Sequence, residues 1–275
     1  GNSYIVPNGK VINLDRGKPV LTANPLASHY FDRDFDVTGT ASDDTGISSV
    51  KAVLISGETE TALENTGTET AWQFNIPVAE KVDGAYSVKI TALDTYNRES
   101  STTYAFAIDK TAPVVEIAVP GNGEYVSVAR KTMKGSFVEE GSGVKSLQYS
   151  LQKDGETEDW QAVTPVGASW TLHDFLIGTE NSEGTYVLKL KLVDNLGYEG
   201  ETSVSFVKDL YKPTLTLSET SRLITSGDFS LAGTAFDSNE LKSLEITALV
   251  QGEAKKWAPS ITDKNWQQNF TVSGD

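Results

Sequence analysis

The chain repeats itself about every hundred residues, and this feature constrains its fold more than any other. The same landmarks recur in the same order: a glycine before a hydroxyl residue, a tryptophan, an acid-Gly-x-Tyr segment, and an aspartate four residues before a proline. By type, the landmarks are Gly39-Thr40, Gly135-Ser136 and Gly233-Thr234; Trp72, Trp170 and Trp266; 83–86 and 183–186; and Asp15, Asp109 and Asp209 before Pro19, Pro113 and Pro213. A solenoid unit has about 20–50 residues, so a period of about 97 indicates a string of whole small domains.

The spacing divides the chain into four segments. Residues 11–15 match the end of the first repeat, so we predict that 1–18 hold the closing strand of a preceding repeat, or a strand shaped like one. The repeats themselves are predicted at 19–111, 112–211 and 212–275. In the third repeat nothing matches 86–108, so we expect that repeat to lack its last two strands.

Short alternating segments between turn signals predict β-strands. Residues 144–151 and 185–193 alternate with roughly the period of two that a half-buried strand requires. The strand predicted at 114–119 is followed by Pro-Gly-Asn-Gly, a strong turn signal. About seven such strands per repeat, at intervals of about 8–15 residues, predict an all-β fold of tandem immunoglobulin-like or fibronectin-like antiparallel β-sandwiches.

The composition argues against several classes of partner and chemistry. With 23 basic and 38 acidic residues the net charge is −15, so nucleic acids and anionic membranes would repel the chain. It has no cysteine, which removes disulfides and thiolate nucleophiles or ligands. The sequence has no run of about 18 apolar residues, so it predicts no membrane-spanning helix. No signal peptide is recognised, so we expect an export leader or a surface anchor to lie outside this sequence.

By the order of its motifs the chain resembles bacterial immunoglobulin-like repeats of cell-surface and secreted proteins, over residues 19–275. The motifs are, in order, 144–151, Trp160, Trp170, 183–186, 193–197, Asp209 and Pro213. Hairpin tips of that family commonly read Asp-x-x-Gly-Asn. Here 194–198 read Asp-Asn-Leu-Gly-Tyr and 94–98 depart further. The resemblance implies a non-catalytic, extracellular spacer or adhesion module that forms a rod, and it does not identify a protein or glycan ligand.

Two other functions stay open at this point. An accessory carbohydrate-binding module of a polysaccharide-active protein would need exposed aromatic platforms, but a tryptophan repeated once per domain on a strand is typical of a core anchor. An enzyme would need a cleft that small sandwiches do not obviously supply. The two histidines, His29 and His173, lie in different repeats, so neither a zinc site nor a Ser-His-Asp triad is indicated.

Acidic residues recur where successive repeats should meet. The loop after the second strand and the last hairpin tip share one end of such a sandwich, and the preceding repeat arrives there. Hard oxygen ligands in clusters of three or four suit calcium, although aspartate is also common in turns because it caps its own backbone. The candidates are Asp15, Asp43, Asp44 and Asp94 for the first repeat; Asp109, Glu139, Glu140 and Asp194 for the second; and Asp209, Asp237 and Glu240 for the third.

The third repeat also predicts self-association. A sandwich without its last two strands has an open sheet edge, and open edges recruit other strands. Because the segment 4–14 resembles a closing strand, we expect this repeat to be either partly disordered or completed by another chain, for instance by that N-terminal segment.

Overall fold

The computed structural model of the chain describes residues 2–5, 11–14, 16–153, 156, 159–218, 227–250 and 253–272. These residues form β-strands joined by turns, without a helix among them, which confirms the all-β prediction. Two compact units are distinguished. The first comprises Gly1–Val115, Phe137–Leu147 and Lys191–Glu201, and the second comprises Glu116–Ser136, Gln148–Leu190 and Thr202–Asp275.

Twenty-four strands account for the fold of the described residues. Before the first repeat lie β1 (Asn2–Ile5) and β2 (Val11–Leu14). The first repeat contains β3 (Val20–Ala23), β4 (Tyr30–Phe31), β5 (Phe35–Ser42), β6 (Ile47–Ser56), β7 (Thr59–Leu63), β8 (Ala71–Ile76), β9 (Gly84–Asp94) and β10 (Glu99–Ile108). The second contains β11 (Val114–Val119), β12 (Tyr125–Val126), β13 (Arg130–Val138), β14 (Val144–Lys153), β15 (Gln161–Ala162), β16 (Ser169–Leu176), β17 (Gly184–Asp194) and β18 (Glu199–Lys208). The third contains β19 (Thr214–Leu217), β20 (Gly227–Phe236), β21 (Ile246–Val250), β22 (Glu253–Trp257), β23 (Ile261–Thr262) and β24 (Asn265–Val272).

The first two repeats have the same sheet orders. A three-stranded sheet has the order β3-β5-β8 in the first repeat and β11-β13-β16 in the second. A five-stranded sheet has the order β4-β10-β9-β6-β7 in the first and β12-β18-β17-β14-β15 in the second. In the first repeat, alternate side chains of both sheets form one buried core that includes Val37, Trp72, Phe74, Ile90 and Phe106. This is the sandwich architecture that the strand pattern predicted.

The repeated glycine and the repeated tryptophan are cross-strand partners. Gly39 pairs with Trp72, Gly135 with Trp170 and Gly233 with Trp266 in the antiparallel registers of the three repeats. In each case a Cβ on the glycine would overlap both the indole ring and a carbonyl of the neighbouring strand. The indole therefore lies across its partner strand only because that strand carries glycine there. The three tryptophans are 1%, 1% and 4% exposed, which confirms that they are core anchors.

The third repeat has a four-stranded sheet, β19-β20-β24-β23, and a separate two-stranded sheet, β21-β22. In the first repeat β6 pairs with both β7 and β9, whereas within the described part of the third repeat β21 pairs only with β22. Three leucines of the third repeat are exposed: Leu215 and Leu217 on β19, and Leu249 on β21, the last at 77%.

The N-terminal segment forms two paired strands, where the sequence predicted one. Its register reproduces that of the closing hairpin of the first repeat: Tyr4 lies opposite Ile12, as Tyr86 lies opposite Phe106. The acid that follows β2, Asp15, lies outside the described residues.

Candidate functional site: carboxylates at the repeat junctions

Asp109 ties the end of the first repeat to a loop of the second. It follows β10, and its backbone N–H donates to the carbonyl of Phe31 (3.1 Å), so the strand position is fixed. Its carboxylate accepts N–H groups from Ser142 at Oδ2 (2.6 Å) and from Thr111 at Oδ1 (3.3 Å). Asp109 is 3% exposed. A buried, charge-assisted hydrogen bond therefore spans two repeats inside one compact unit.

The loop that receives Asp109 is shaped by a glycine and a second acid. A Cβ on Gly141 would overlap the carboxylate of Asp109, so this position is closed to larger residues. Glu139 accepts the N–H groups of Gly141 (2.9 Å) and Gly143 (3.1 Å) through Oε1, which folds the loop back on itself. The neighbouring Glu140 is exposed. Sequence reasoning missed the role of Gly141, although the run Gly-Ser-Gly after two acids indicated a tight loop.

The last hairpin tip of the second repeat meets the same loop. Asn195 donates through Nδ2 to the carbonyl of Ser142 (2.7 Å). Tyr198 belongs to this tip, since its N–H donates to Asp194 Oδ1 (2.9 Å). Burial raises the pKa of its hydroxyl, as do the charges of Asp32, Asp194 and Asp109, whereas Arg33 lowers it. The structure therefore brings together Asp109, the loop 139–143 and the tip 194–198, which the sequence had placed at one end of the repeat.

Each of the two hairpin tips has a buried aspartate at the equivalent position, but the two aspartates have different partners. Asp94 accepts the N–H groups of Tyr96 (2.7 Å) and Arg98 (3.0 Å) at Oδ1. Its Oδ2 lies 2.7 Å from Arg98 Nε in an ion pair, although the two atoms are not aligned as a hydrogen bond. Asp194 accepts three N–H groups at Oδ1, from Leu196, Gly197 and Tyr198 (2.6–2.9 Å). Its Oδ2 is buried and has no hydrogen-bond partner among the described residues.

Of the remaining candidates, Asp43 and Asp237 act within their own turns, whereas Glu240 accepts the hydroxyl of Tyr125 (3.4 Å). Asp43 accepts the N–H (2.9 Å) and the hydroxyl (2.7 Å) of Thr45, while Asp44 is exposed. Asp237 accepts the N–H of Asn239 (2.9 Å). Most of these acids thus cap backbone donors, as the turn interpretation expected.

The junction of the second and third repeats is held by Glu183, which the sequence analysis did not single out as a ligand. Its Oε1 accepts the N–H groups of Leu210 (2.7 Å) and Tyr211 (2.9 Å), and its Oε2 accepts the hydroxyl of Ser238 (2.5 Å). The bond from Ser238 holds the pKa of Glu183 below its usual value, against the opposing effect of burial. In the first repeat the equivalent acid, Asp83, accepts the hydroxyl of Thr111 (2.5 Å). The sequence feature that could have identified Glu183 is the acid-Gly-x-Tyr segment, which occurs in both repeats.

Asp209 is the counterpart of Asp109. Its N–H donates to the carbonyl of Val126 (3.0 Å), as that of Asp109 does to Phe31. Its Oδ1 is buried and unpartnered within the part of the chain that the structure describes. In the same part of the chain, no group of three or more His, Asp or Glu side chains is arranged to hold a metal ion. Asp209 and Asp194 each offer one buried oxygen without a hydrogen-bond donor. The other described junction carboxylates that accept N–H or O–H groups are Asp43, Asp94, Asp109, Glu139, Asp237 and Glu240, whereas Asp44 and Glu140 are exposed.

A lysine ties a loop to the closing strand in each of the first two repeats. The fully buried Lys208 donates through Nζ to the carbonyls of Ile177 (2.7 Å) and Thr179 (2.6 Å). In the first repeat Lys110 donates to the carbonyls of Val78, Ala79 and Lys81. Burial lowers the pKa of Lys208, opposed by the charges of Glu180 and Glu183.

None of the segments that the structure describes forms a helix with the length and apolar character needed to cross a bilayer.

Comparison with known proteins finds likeness in structure only. No protein-family model matches the chain, and no curated protein sequence matches it. A fragment of titin with three immunoglobulin domains is 12% identical, over 92% of this chain and 87% of that one, with a TM-score of 0.50. A bacterial ice-binding adhesin is 14% identical over 94% and 88%, with a TM-score of 0.42. A Ca²⁺-stabilised, ice-binding adhesin of an Antarctic bacterium is 17% identical over 98% and 72%, with a TM-score of 0.33. The chain has the fold of tandem immunoglobulin-like domains.

Proposed function

We propose that this chain is a non-catalytic spacer and adhesion-associated module of a bacterial surface or secreted protein, and that it works outside the cell as a rod. The observation that carries the proposal is the buried bond from Ser142 N–H to Asp109 Oδ2, which joins the first repeat to the second. A spacer transmits length only if its junctions resist bending. The closed position at Gly141 and the hydrogen bonds of Glu139 supply that resistance at this junction.

The absence of cysteine allows a direct test of junction stiffness. Spin labels on the variant Glu60→Cys/Glu199→Cys, both exposed positions of the first compact unit, report one distance by electron–electron double resonance. We expect a narrow distribution in this variant and a clearly broader one when Asp109→Ala or Gly141→Val is added. The control Asp44→Ala removes an exposed acid of another loop and should leave the distribution narrow. A broad distribution in every variant would reject the proposal.

Calcium at the junctions belongs to the same proposal. The unpartnered buried oxygens of Asp194 and Asp209 support it, because a carboxylate oxygen without a donor is a free ligand for a hard cation. A ligand that binds only the native state raises stability. We therefore expect a higher melting temperature in millimolar calcium than in chelator, and a smaller rise in Asp194→Asn/Asp209→Asn. Identical melting curves in calcium and in chelator would contradict this part of the proposal.

Strand-mediated self-association is a second candidate, supported by strand register. The pairing of β1 with β2 copies that of β9 with β10, and β21 has an unpaired edge within the described residues. We expect the β1–β2 hairpin of one copy to pair with β21 of another, so the 275-residue chain should associate with rising concentration in sedimentation velocity. Ile12→Pro removes a backbone donor from β2 and should abolish the association. As a comparison, Thr102→Pro in β10 shows the effect of a proline that unfolds a complete repeat. A monomer at all concentrations would eliminate this candidate.

A further inference from the structure

A groove lies beside Asp109 in the first compact unit, with a volume of about 440 Å³. Its wall is largely apolar, with Tyr30, Ile108, Val114 and Val138 among the lining residues. Val114 and Val138 are both 56% exposed, although they lie on strands β11 and β13 of one sheet. Two exposed β-branched side chains therefore line the groove.

The rim of the groove is acidic. Asp83, Asp109, Glu139 and Glu140 line it, and no lining residue is basic. Asp109 and Glu139 are engaged by backbone donors, and Asp83 accepts one hydroxyl, whereas Glu140 is exposed and carries no hydrogen bond or ion pair among the described residues. The neighbouring Lys110 donates to the carbonyls of Val78, Ala79 and Lys81 and does not line the groove.

The junction of the second and third repeats offers an internal comparison. Tyr125 stands opposite Val207 in the parallel pair of β12 and β18, as Tyr30 stands opposite Ala107 in β4 and β10. The cavity there is also lined by a tyrosine, the closing aspartate and a glutamate, namely Tyr125, Asp209 and Glu240, but Lys242 lines it as well. A lysine of the chain itself thus lines the equivalent cavity, whereas no basic residue lines the first-junction groove.

We propose that the first-junction groove docks a lysine or arginine side chain from a basic segment of a partner protein. Such a side chain has an apolar stem and a cationic head. The stem suits the wall of Val114, Val138 and Tyr30, and the head suits the rim of Asp83 and Glu140. The net charge of −15 favours approach of a basic partner over an acidic one. Charge complementarity, together with an apolar wall and an acidic rim, therefore favours a lysine or arginine side chain as the occupant.

The experiment titrates the ¹⁵N-labelled full chain with the capped peptide acetyl-(Lys-Gly)₃-amide and follows amide shifts by NMR. We expect saturable shifts centred on Ala85, Thr111, Val114 and Val138. A second peptide with diaminobutyrate in place of lysine, compared at slightly acidic pH, stays cationic and has half of the stem. It should bind more weakly, because it cannot reach the rim while packing on the valines.

Two variants with the same net charge separate docking from general attraction. Asp83→Asn/Glu140→Gln removes the rim charges, and Glu58→Gln/Glu60→Gln removes two exposed acids at β7. We expect the rim variant to weaken binding about fivefold, the size of two exposed ion pairs, and the β7 variant to change it little. Equal weakening in both variants, shifts spread over the whole surface, equal affinity for the two peptides, or no saturable shift would each overturn the proposal.

Discussion

At the scale of single residues, the two hairpin tips differ in what stands beside the second oxygen of an equivalent buried aspartate. Asp94 and Asp194 are both fully buried, and both fold their tips through Oδ1. Only Asp94 has a cation at Oδ2, because Arg98 stands where the second repeat has Tyr198. Neither Oδ2 has an aligned hydrogen-bond donor, but the charge of Arg98 offsets the cost of burying the Asp94 carboxylate. We therefore expect the second tip to be the weaker of the two.

The first prediction exchanges these partners. Tyr198→Arg supplies a guanidinium to Asp194 Oδ2 and should stabilise the second repeat by about 1 kcal/mol, the size of one hydrogen bond. Arg98→Ala should destabilise the first repeat by about 1–3 kcal/mol, because it leaves Asp94 Oδ2 without its partner. Native-state hydrogen exchange of β17 and β9 measures the two effects separately. Tyr198→Gln is the control for loss of the ring. No gain from Tyr198→Arg over this control would show that Oδ2 does not need a donor.

The second prediction concerns pH and Glu183. Its pKa is lowered in the folded state, so the bonds to Ser238, Leu210 and Tyr211 add stability above the unfolded value of 4.5. That stability is lost as the pH falls through the lower, folded pKa. In Ser238→Ala, which removes the largest cause of the lowering, we expect the Glu183 pKa to move up towards 4.5. A ¹³C NMR titration of the Glu183 carboxyl measures it, and an unchanged value in the variant would contradict the assignment.

At the scale of strands, the alternation of apolar and polar residues predicted the long strands and missed the short ones. The strand predicted at 114–119 begins and ends at those residues. The strands predicted at 144–151 and 185–193 extend to Val144–Lys153 and Gly184–Asp194. The two-residue strands β4 and β12 went unpredicted, because two residues show no period and their parallel pairing with β10 and β18 is a long-range choice. The hairpin of β1 and β2 was missed for a similar reason, since only the sequence of β2 matched a repeat.

The third prediction tests the lysine that ties a loop to the closing strand. Lys208 stands where the first repeat has Ile108, and Leu210 stands where it has Lys110. Lys208→Ile should destabilise the second repeat by about 1–3 kcal/mol, because the carbonyls of Ile177 and Thr179 lose their donor. Lys208→Ile/Leu210→Lys rebuilds the arrangement of the first repeat and should recover most of the loss. Chemical denaturation compares both variants with the original chain. A double variant no more stable than the single one would show that the two ties are not interchangeable.

At the scale of the whole molecule, the junction is the part that sequence described least completely. The four-residue spacing from aspartate to proline placed Asp109 at a junction, and the order of strands placed the loop 139–143 at the same end. The sequence could not predict which atoms bond, because Asp109 and Ser142 are 33 residues apart and their contact depends on how the chain between them folds. The acids were predicted as calcium ligands, and the structure shows most of them capping backbone donors.

The last prediction follows from the membership of the first compact unit. That unit contains Phe137–Leu147 and Lys191–Glu201 together with the first repeat. Loss of the core of the first repeat should therefore loosen these two segments as well. Trp72→Ala removes a large buried side chain and should cost about 3–5 kcal/mol in the first repeat. We expect faster hydrogen exchange at Ser142, whose N–H donates to Asp109, and at the tip 194–198.

Two comparisons make this prediction specific. Trp266→Ala removes the equivalent side chain of the third repeat and should leave exchange at Ser142 unchanged, because Trp266 belongs to the other compact unit. In the background Asp109→Ala, the bond to Ser142 is already absent, so adding Trp72→Ala should have a smaller effect on that loop. If Trp72→Ala left Ser142 protected as in the original chain, the first repeat and the loop of the second would be independent in stability. The junction would then be a contact without mechanical coupling, and a spacer built on it would bend there.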